Sequence, residues 1–138
     1  MFDHCLYFNT TALARRLERE WTDAFAPFGL TAPQAFMLRA VLDRPDMLQS
    51  ELSTELSIAR ATATRALDGL EAKKYITRSS TANDGREVLI RPTAAAIQLK
   101  AALNDASGAV TARMKAVLGN AEFTTTVSKI RSVRSVLS

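Results

Sequence analysis

Arg60, Thr62, Thr64 and Arg65 crowd into six residues, and Asp84 and Arg86 flank Gly85 further along the chain. Guanidinium and hydroxyl groups at this density suit hydrogen bonding to an anionic partner with readable edges, such as nucleic acid. Arginine presents a planar fork that matches the O6/N7 edge of guanine, and threonine reaches bases or phosphates. The net charge of +4 is modest, but it is unevenly placed. Between positions 60 and 91 stand seven basic residues (Arg60, Arg65, Lys73, Lys74, Arg78, Arg86, Arg91) against four acidic ones (Asp68, Glu71, Asp84, Glu87), so this stretch holds +3 of the +4. Such a patch suits a polyanion, whose phosphates release counterions as lysine and arginine approach. A solvated face is the plainer alternative.

Elements must hold these groups in place. Residues 59–72 read as a short basic helix. At about 100° per residue, Ala63, Ala66, Leu67 and Leu70 converge on one side, leaving Ala61, Thr64, Arg65 and Asp68 on the other. Arg65 is then the best-placed base contact, and Arg60, near the helix start, can hold the backbone. The alternative for Arg65 is an ion pair along the helix with Asp68 or Glu71, worth only about 0.2–0.5 kcal/mol. Residues 80–91 read as a polar hairpin whose tip, Asn83, Asp84, Gly85 and Arg86, carries turn chemistry. Residues 75–78 and 88–91 are rich in β-favouring types and can pair beneath it as a wing. An aspartate two positions from the arginine can brace it, and a long flat guanidinium on a narrow wing suits the minor groove. Solvated turn charges are the alternative there.

Upstream, residues 47–56 predict a helix with Leu48, Leu52 and Leu56 in one row, and only Ser57, Ile58 and Ala59 separate it from the basic helix. That spacing is helix-turn-helix. Thr31 and Gln34 have capping-box spacing, with Pro33 tolerable in the first turn, and start a helix running to about Asp43. Residues 4–25 place Leu6, Leu13, Leu17, Trp21 and Ala24 on one helical stripe, ended by Pro27 and Gly29. Downstream, Thr93 can cap a helix with Leu99, Leu103, Ala106, Val110, Met114 and Val117 on one face, and a last helix aligns Phe123, Val127, Ile130, Val133 and Leu137. Terminal stripes this long exceed what a small central unit needs, and a second copy of the chain is the economical cover. Two reading helices about 34 Å apart would read a pseudo-palindrome. Packing within one chain is the alternative.

The fold expected is mainly α with a small β-hairpin: a winged helix-turn-helix over residues 31–93, flanked by dimerisation helices at 1–28 and 94–138. With 138 residues, 47% hydrophobic and 23% charged, one folded unit is expected. One cysteine excludes an internal disulfide framework, and no leader or membrane-length apolar run is evident, so a cytoplasmic protein without membrane contact is expected. An enzyme is poorly supplied for. The lone histidine adjoins the lone cysteine, and neither metal-ligand spacing nor a phosphate-cradling glycine loop is present, so no catalytic residue, metal or cofactor is expected. A winged domain that binds protein rather than DNA is the stronger rival.

The runs LTAPQAFMLRAVL and QSELSTELSIARATATRALDGLEAKKYITRSSTANDGREVLIRPT resemble the MarR family of winged helix-turn-helix transcriptional regulators. The most specific parts are Thr64, Arg65, Leu67, Asp68, Leu70 and Glu71, then Ile76, Thr77 and Arg78, then Asp84 and Arg86. The resemblance implies a homodimer with interlocked terminal helices that binds double-stranded DNA at pseudo-palindromic operators and usually represses nearby genes. It implies a recognition-helix role for Arg65 and a wing role for Arg86 braced by Asp84. Ala59, Lys74 and Ala96 depart from family preference for, respectively, an acidic or hydroxyl helix opener and two glycines. Gly69 stands where larger residues are frequent and should cost the helix interior up to about 1 kcal/mol relative to alanine.

Family members often respond to small aromatic or phenolic effectors bound between the dimerisation region and the winged domain. Phe8, Trp21, Phe28, Phe36 and Arg39 can line such a cavity, with Arg39 facing a carboxylate. Aromatics at helical spacing are also ordinary core, and Arg39 has ordinary ion pairs open to it. One branch of the family senses peroxide through a first-helix cysteine, which makes Cys5, beside His4 and near Tyr7, a redox candidate. A structural cysteine is its alternative.

Overall fold

Helix α1 (Leu6–Phe25) starts two residues later than the pattern suggests, because Cys5 keeps an extended backbone and its Sγ accepts from the Phe8 N–H at 3.5 Å. A 3-10 turn over Ala26–Phe28 and Gly29 at φ 70° end the segment, as Pro27 and Gly29 foretell. Thr31 then opens α2 (Ala32–Asp43) with the expected capping box: its Oγ1 accepts from the Gln34 N–H at 3.4 Å, and Gln34 Oε1 accepts from the Thr31 N–H at 3.1 Å. The computed structural model describes residues 1–81 and 87–138.

The reading of residues 47–56 as one helix needs correction. Met47 and Leu48 form a short strand, β1, after a turn in which Asp46 has φ 70°, and α3 covers only Gln49–Glu55. Two residues carry no period to read, and pairing with a strand more than forty residues away decides their conformation. Leu48 therefore leaves the proposed leucine row, of which only Leu52 is fully buried. Leu56 caps α3, Ser57 takes a left-handed φ of 54°, and α4 (Arg60–Ala72) follows at once. This is the anticipated helix-turn-helix.

Ala59 opens α4 without a side-chain cap, the cost of its departure from family preference. Lys74 adopts φ 64°, the conformation for which glycine is favoured at that turn. Strands β2 (Ile76–Ser80) and β3 (Val88–Pro92) pair antiparallel, and β1 adds to the far side of β3, giving the order β1-β3-β2. The expected wing strands are thus present, and the expected tip, with Asp84 and Arg86, lies outside the described residues.

Thr93 caps α5 (Ala94–Leu118): its Oγ1 accepts from the Ala96 N–H at 3.3 Å and donates to the Lys74 carbonyl at 2.8 Å. Gly119 separates α5 from α6 (Asn120–Leu137). The core lies where α2, α4, the sheet and the first half of α5 meet, with Phe25, Met37, Leu38, Leu52, Leu67, Leu70, Ile76, Ile90 and Leu103 fully buried. The outer stripes stay open. Leu6, Leu13, Val117, Val127, Ile130, Val133 and Leu137 are all exposed in the single chain.

Candidate nucleic-acid interface

Helix α4 sorts its residues as the angular reading requires. Ala63, Ala66, Leu67 and Leu70 are buried and Ala61, Arg65 and Asp68 are exposed, whereas Thr64, expected on the same outer side, is half-buried because its hydroxyl is engaged by Gln49 and the Arg60 carbonyl. The inner side packs on α2 at Gly69, where an added Cβ would stand 2.4 Å from Gln34 Nε2. The glycine that costs helix propensity therefore buys a close helix approach and leaves room for the capping amide.

The two threonines differ in use. Thr64 Oγ1 accepts from Gln49 Nε2 at 2.9 Å and donates to the Arg60 carbonyl at 3.0 Å, tying the first turn of α3 to α4. Thr62 is half-buried beside an apolar groove, and its Oγ1 accepts a long 3.4 Å bond from Arg65 Nη2. Gln49, Ser50, Ser53, Arg60, Thr64, Glu87 and Val88 line a polar cleft of about 540 Å³ between α3, α4 and the wing base. Gln49 and the two serines are the part of this surface that residue-by-residue reading missed. Reading residues 47–56 as a single helix conceals that Gln49 is the first residue of α3.

Arg65 does not pair with Asp68 or Glu71. Arg78 from β2 holds both, with Nη2 donating at 2.7 Å to Asp68 Oδ1 and at 2.9 Å to Glu71 Oε1. Arg78 lies two residues after buried Ile76, so the strand's period of two sends both side chains to the face that meets α4. That alternation is the signal in the sequence for this contact. The hydrogen bond from Arg78 holds the Glu71 carboxyl below the usual carboxylate range, and the same bond raises Arg78.

Of the residues considered for an effector, Trp21 and Phe36 come together in the apolar groove. It has a volume of about 520 Å³ and lies between α1, α2 and the α3–α4 turn, with Leu17, Pro33, Leu56 and Ile58 also in its wall. Phe8, Phe28 and Arg39 do not line it. Phe8 packs on Phe2 with ring centroids 5.5 Å apart, and Phe28 packs against the core. Arg39 sits 5.0 Å over the Phe36 ring, with Nε donating to Asn104 Oδ1 at 2.8 Å and Nη1 to Ser107 Oγ at 3.0 Å. Burial lowers its pKa. Trp21 Nε1 donates to the same Ser107 Oγ at 3.0 Å, so α1, α2 and α5 meet at one hydroxyl. Cys5 is exposed at the start of α1. Among the described residues no group of three or more His, Cys, Asp or Glu side chains is placed to hold a metal ion, and no helix is long and apolar enough to cross a membrane.

Residues 28–87 match the family model described as the MarR family. No curated protein sequence gives a significant match. Solved structures with the same fold include a MarR protein from Peptoclostridium difficile (TM-score 0.86, 16% identity, covering 98% of this chain and 88% of that one). They also include MepR from S. aureus in complex with DNA (TM-score 0.83, 18% identity, 97% and 99%). A third is a MarR family transcriptional regulator from Listeria monocytogenes complexed with a 26mer DNA (TM-score 0.81, 22% identity, 96% and 88%). The sequence match falls on the helix-turn-helix and the start of the wing, and the fold likeness extends over both terminal helices. Residues 28–87 thus match the MarR family, and the chain as a whole takes the winged helix-turn-helix fold of these solved structures.

Proposed function

We propose that the protein reads a pseudo-palindromic operator in double-stranded DNA as a homodimer and represses transcription from it. The observation that carries this reading is the free outer face of α4. Arg65 projects there with no carboxylate partner among the described residues, because Arg78 holds Asp68 and Glu71. Arg65 then serves base readout in the major groove and Arg60 lies alongside for phosphate contact, while Thr64, its hydroxyl bonded to the Arg60 carbonyl and Gln49, braces the start of the helix. Arg86, with Asp84 two positions before it in sequence, is assigned to the wing's minor-groove contact. Ala61, having only a methyl group, allows close approach, and Thr62 contributes at the edge. The DNA complexes of the S. aureus and Listeria relatives lend support to this use of the fold.

Dimerisation is supported by the exposed apolar residues of α1 and α6, which frame a groove of about 480 Å³ lined by Leu6, Tyr7, Ile130, Val133 and Leu137. Isolated surface residues need no explanation, but a continuous apolar patch of this kind marks an interface. Sedimentation should show a dimer, and a monomer at micromolar concentration would remove the two-fold reading.

The deciding experiment is selection of bound sequences from a random duplex pool, which should return an inverted repeat. Against that sequence, Arg65→Ala should relax discrimination at one position per half-site, and Arg86→Ala should weaken all sequences alike and reduce the salt slope by about one. Unchanged affinity in both variants would sink the reading. The groove holding Trp21 and Phe36 supports a small aromatic or phenolic effector. Such a compound should quench Trp21 emission and release the duplex.

A further inference from the structure

We infer that Arg78 is a positioning residue for DNA recognition, acting by engaging Asp68 and Glu71 so that neither pairs with Arg65 on the outer face of α4. The inference rests on the proposed DNA binding and names what keeps its main arginine available. Helix α4 contains two arginines, Arg60 and Arg65, and two carboxylates, Asp68 and Glu71, so its own side chains sum to zero charge. A helix whose side-chain charges cancel has no net side-chain charge to draw it toward phosphate. Asp68 is also three residues after Arg65, the spacing at which helical side chains meet.

Arg78 alters both conditions from outside the helix. One guanidinium nitrogen bonds both carboxylates, at 2.7 and 2.9 Å. The Arg78 side chain is 21% exposed, whereas Asp68 and Glu71 are 58% and 44% exposed, so the cation stands behind and the two anions stand toward solvent. Strand β2 fixes its origin through the Arg78↔Ile90 pairing, with Ile90 fully buried. The charge over α4 and its strand partner becomes +1, and among the described residues no carboxylate pairs with Arg65.

The test uses the duplex selected by the native chain, with folding of every variant checked by circular dichroism and melting. Arg78→Met should weaken binding about tenfold or more, and Arg78→Lys should stay within about threefold, since it keeps the charge but not the planar fork. The decisive variant adds Asp68→Asn and Glu71→Gln to Arg78→Met. With no carboxylates left to mask, binding should return to within about threefold of native, and the salt slope should match it. A triple variant that folds and stays as weak as Arg78→Met overturns the inference, because Arg78 would then act through its own contact with DNA or through bracing alone. Should Arg78→Met fail to fold, Asp68→Asn with Glu71→Gln in the otherwise native chain supplies the answer. It should bind at least as tightly as native, and weaker binding by a folded protein overturns the inference. Native binding that Arg78→Met leaves unchanged removes the inference alone, while a native chain that binds no duplex removes the DNA reading and this inference with it.

Discussion

Ser107→Ala tests how the terminal helices are joined to the winged domain. Ser107 is the one buried polar residue among those described, at 6% exposure, and its hydroxyl accepts from Trp21 on α1 and from Arg39 on α2, both at 3.0 Å. Alanine removes the acceptor and leaves two donors without it. A neutral hydrogen bond contributes about 0.5–1.5 kcal/mol and one from a charged donor about 1.5–3 kcal/mol. Arg39 is only half-buried and keeps its bond to Asn104, so water recovers part of the charged share. The expected loss is about 2–3 kcal/mol. For a chain of this length that lowers the melting temperature by about 8–12 °C. Trp21 is the only tryptophan, so its fluorescence during urea unfolding reports the site directly. Measurements belong at one fixed protein concentration, because association adds to apparent stability. Combined with Arg39→Met, the two losses should fall short of their sum by about 1 kcal/mol, since one bond is shared. A loss below about 0.5 kcal/mol with unchanged Trp21 emission would show that the hydroxyl joins nothing of energetic weight.

Three further outcomes follow from the local geometry. Thr93→Ala removes the α5 cap and the bond to the Lys74 carbonyl, and should cost about 1–2 kcal/mol in urea unfolding, with Thr93→Ser recovering most of it. Gly69→Ala sets a gain in helix propensity of about 1 kcal/mol against displacement of the Gln34 amide from its cap, so the net change should stay within about 0.5 kcal/mol, while Gly69→Val should cost about 1–3 kcal/mol by overpacking. Because Arg78 holds Glu71 below the ordinary carboxylate range, ionised Glu71 stabilises the fold above its unfolded pKa of about 4.3, and that contribution fades as pH falls through the lowered value. Melting temperatures from pH 6 downward should therefore fall less steeply for Glu71→Gln than for the native chain, and parallel curves would contradict the pairing.

The sequence disclosed most where local chemistry decides structure. Thr31 with Gln34, Thr93, Gly29 and the buried side of α4 are set by caps, by a positive φ and by helical period, and each is found where those rules place it. It disclosed least where a distant partner decides. Met47 and Leu48 look helical until Leu89 and Ile90 are available to pair with them. Asp68 and Glu71 look like partners for Arg65 until a strand brings Arg78 across them. Arg39 falls in the same class: its charge suggests an anion site, but Asn104 and Ser107, more than sixty residues away, take up its Nε and Nη1, and it does not line the groove. The candidate site was thus legible as a list of residues, and illegible in which of them restrain the others.

The strand order β1-β3-β2 also has a consequence for synthesis. The central strand is the last of the three to be made, so β1 waits from Leu48 to Pro92 for its only neighbour. At about 5–20 residues per second, that interval lasts roughly 2–9 s on the ribosome. Strand β2 likewise has no strand to pair with until β3 is made, so the geometry that holds Arg78 against Asp68 and Glu71 is completed only with the whole sheet.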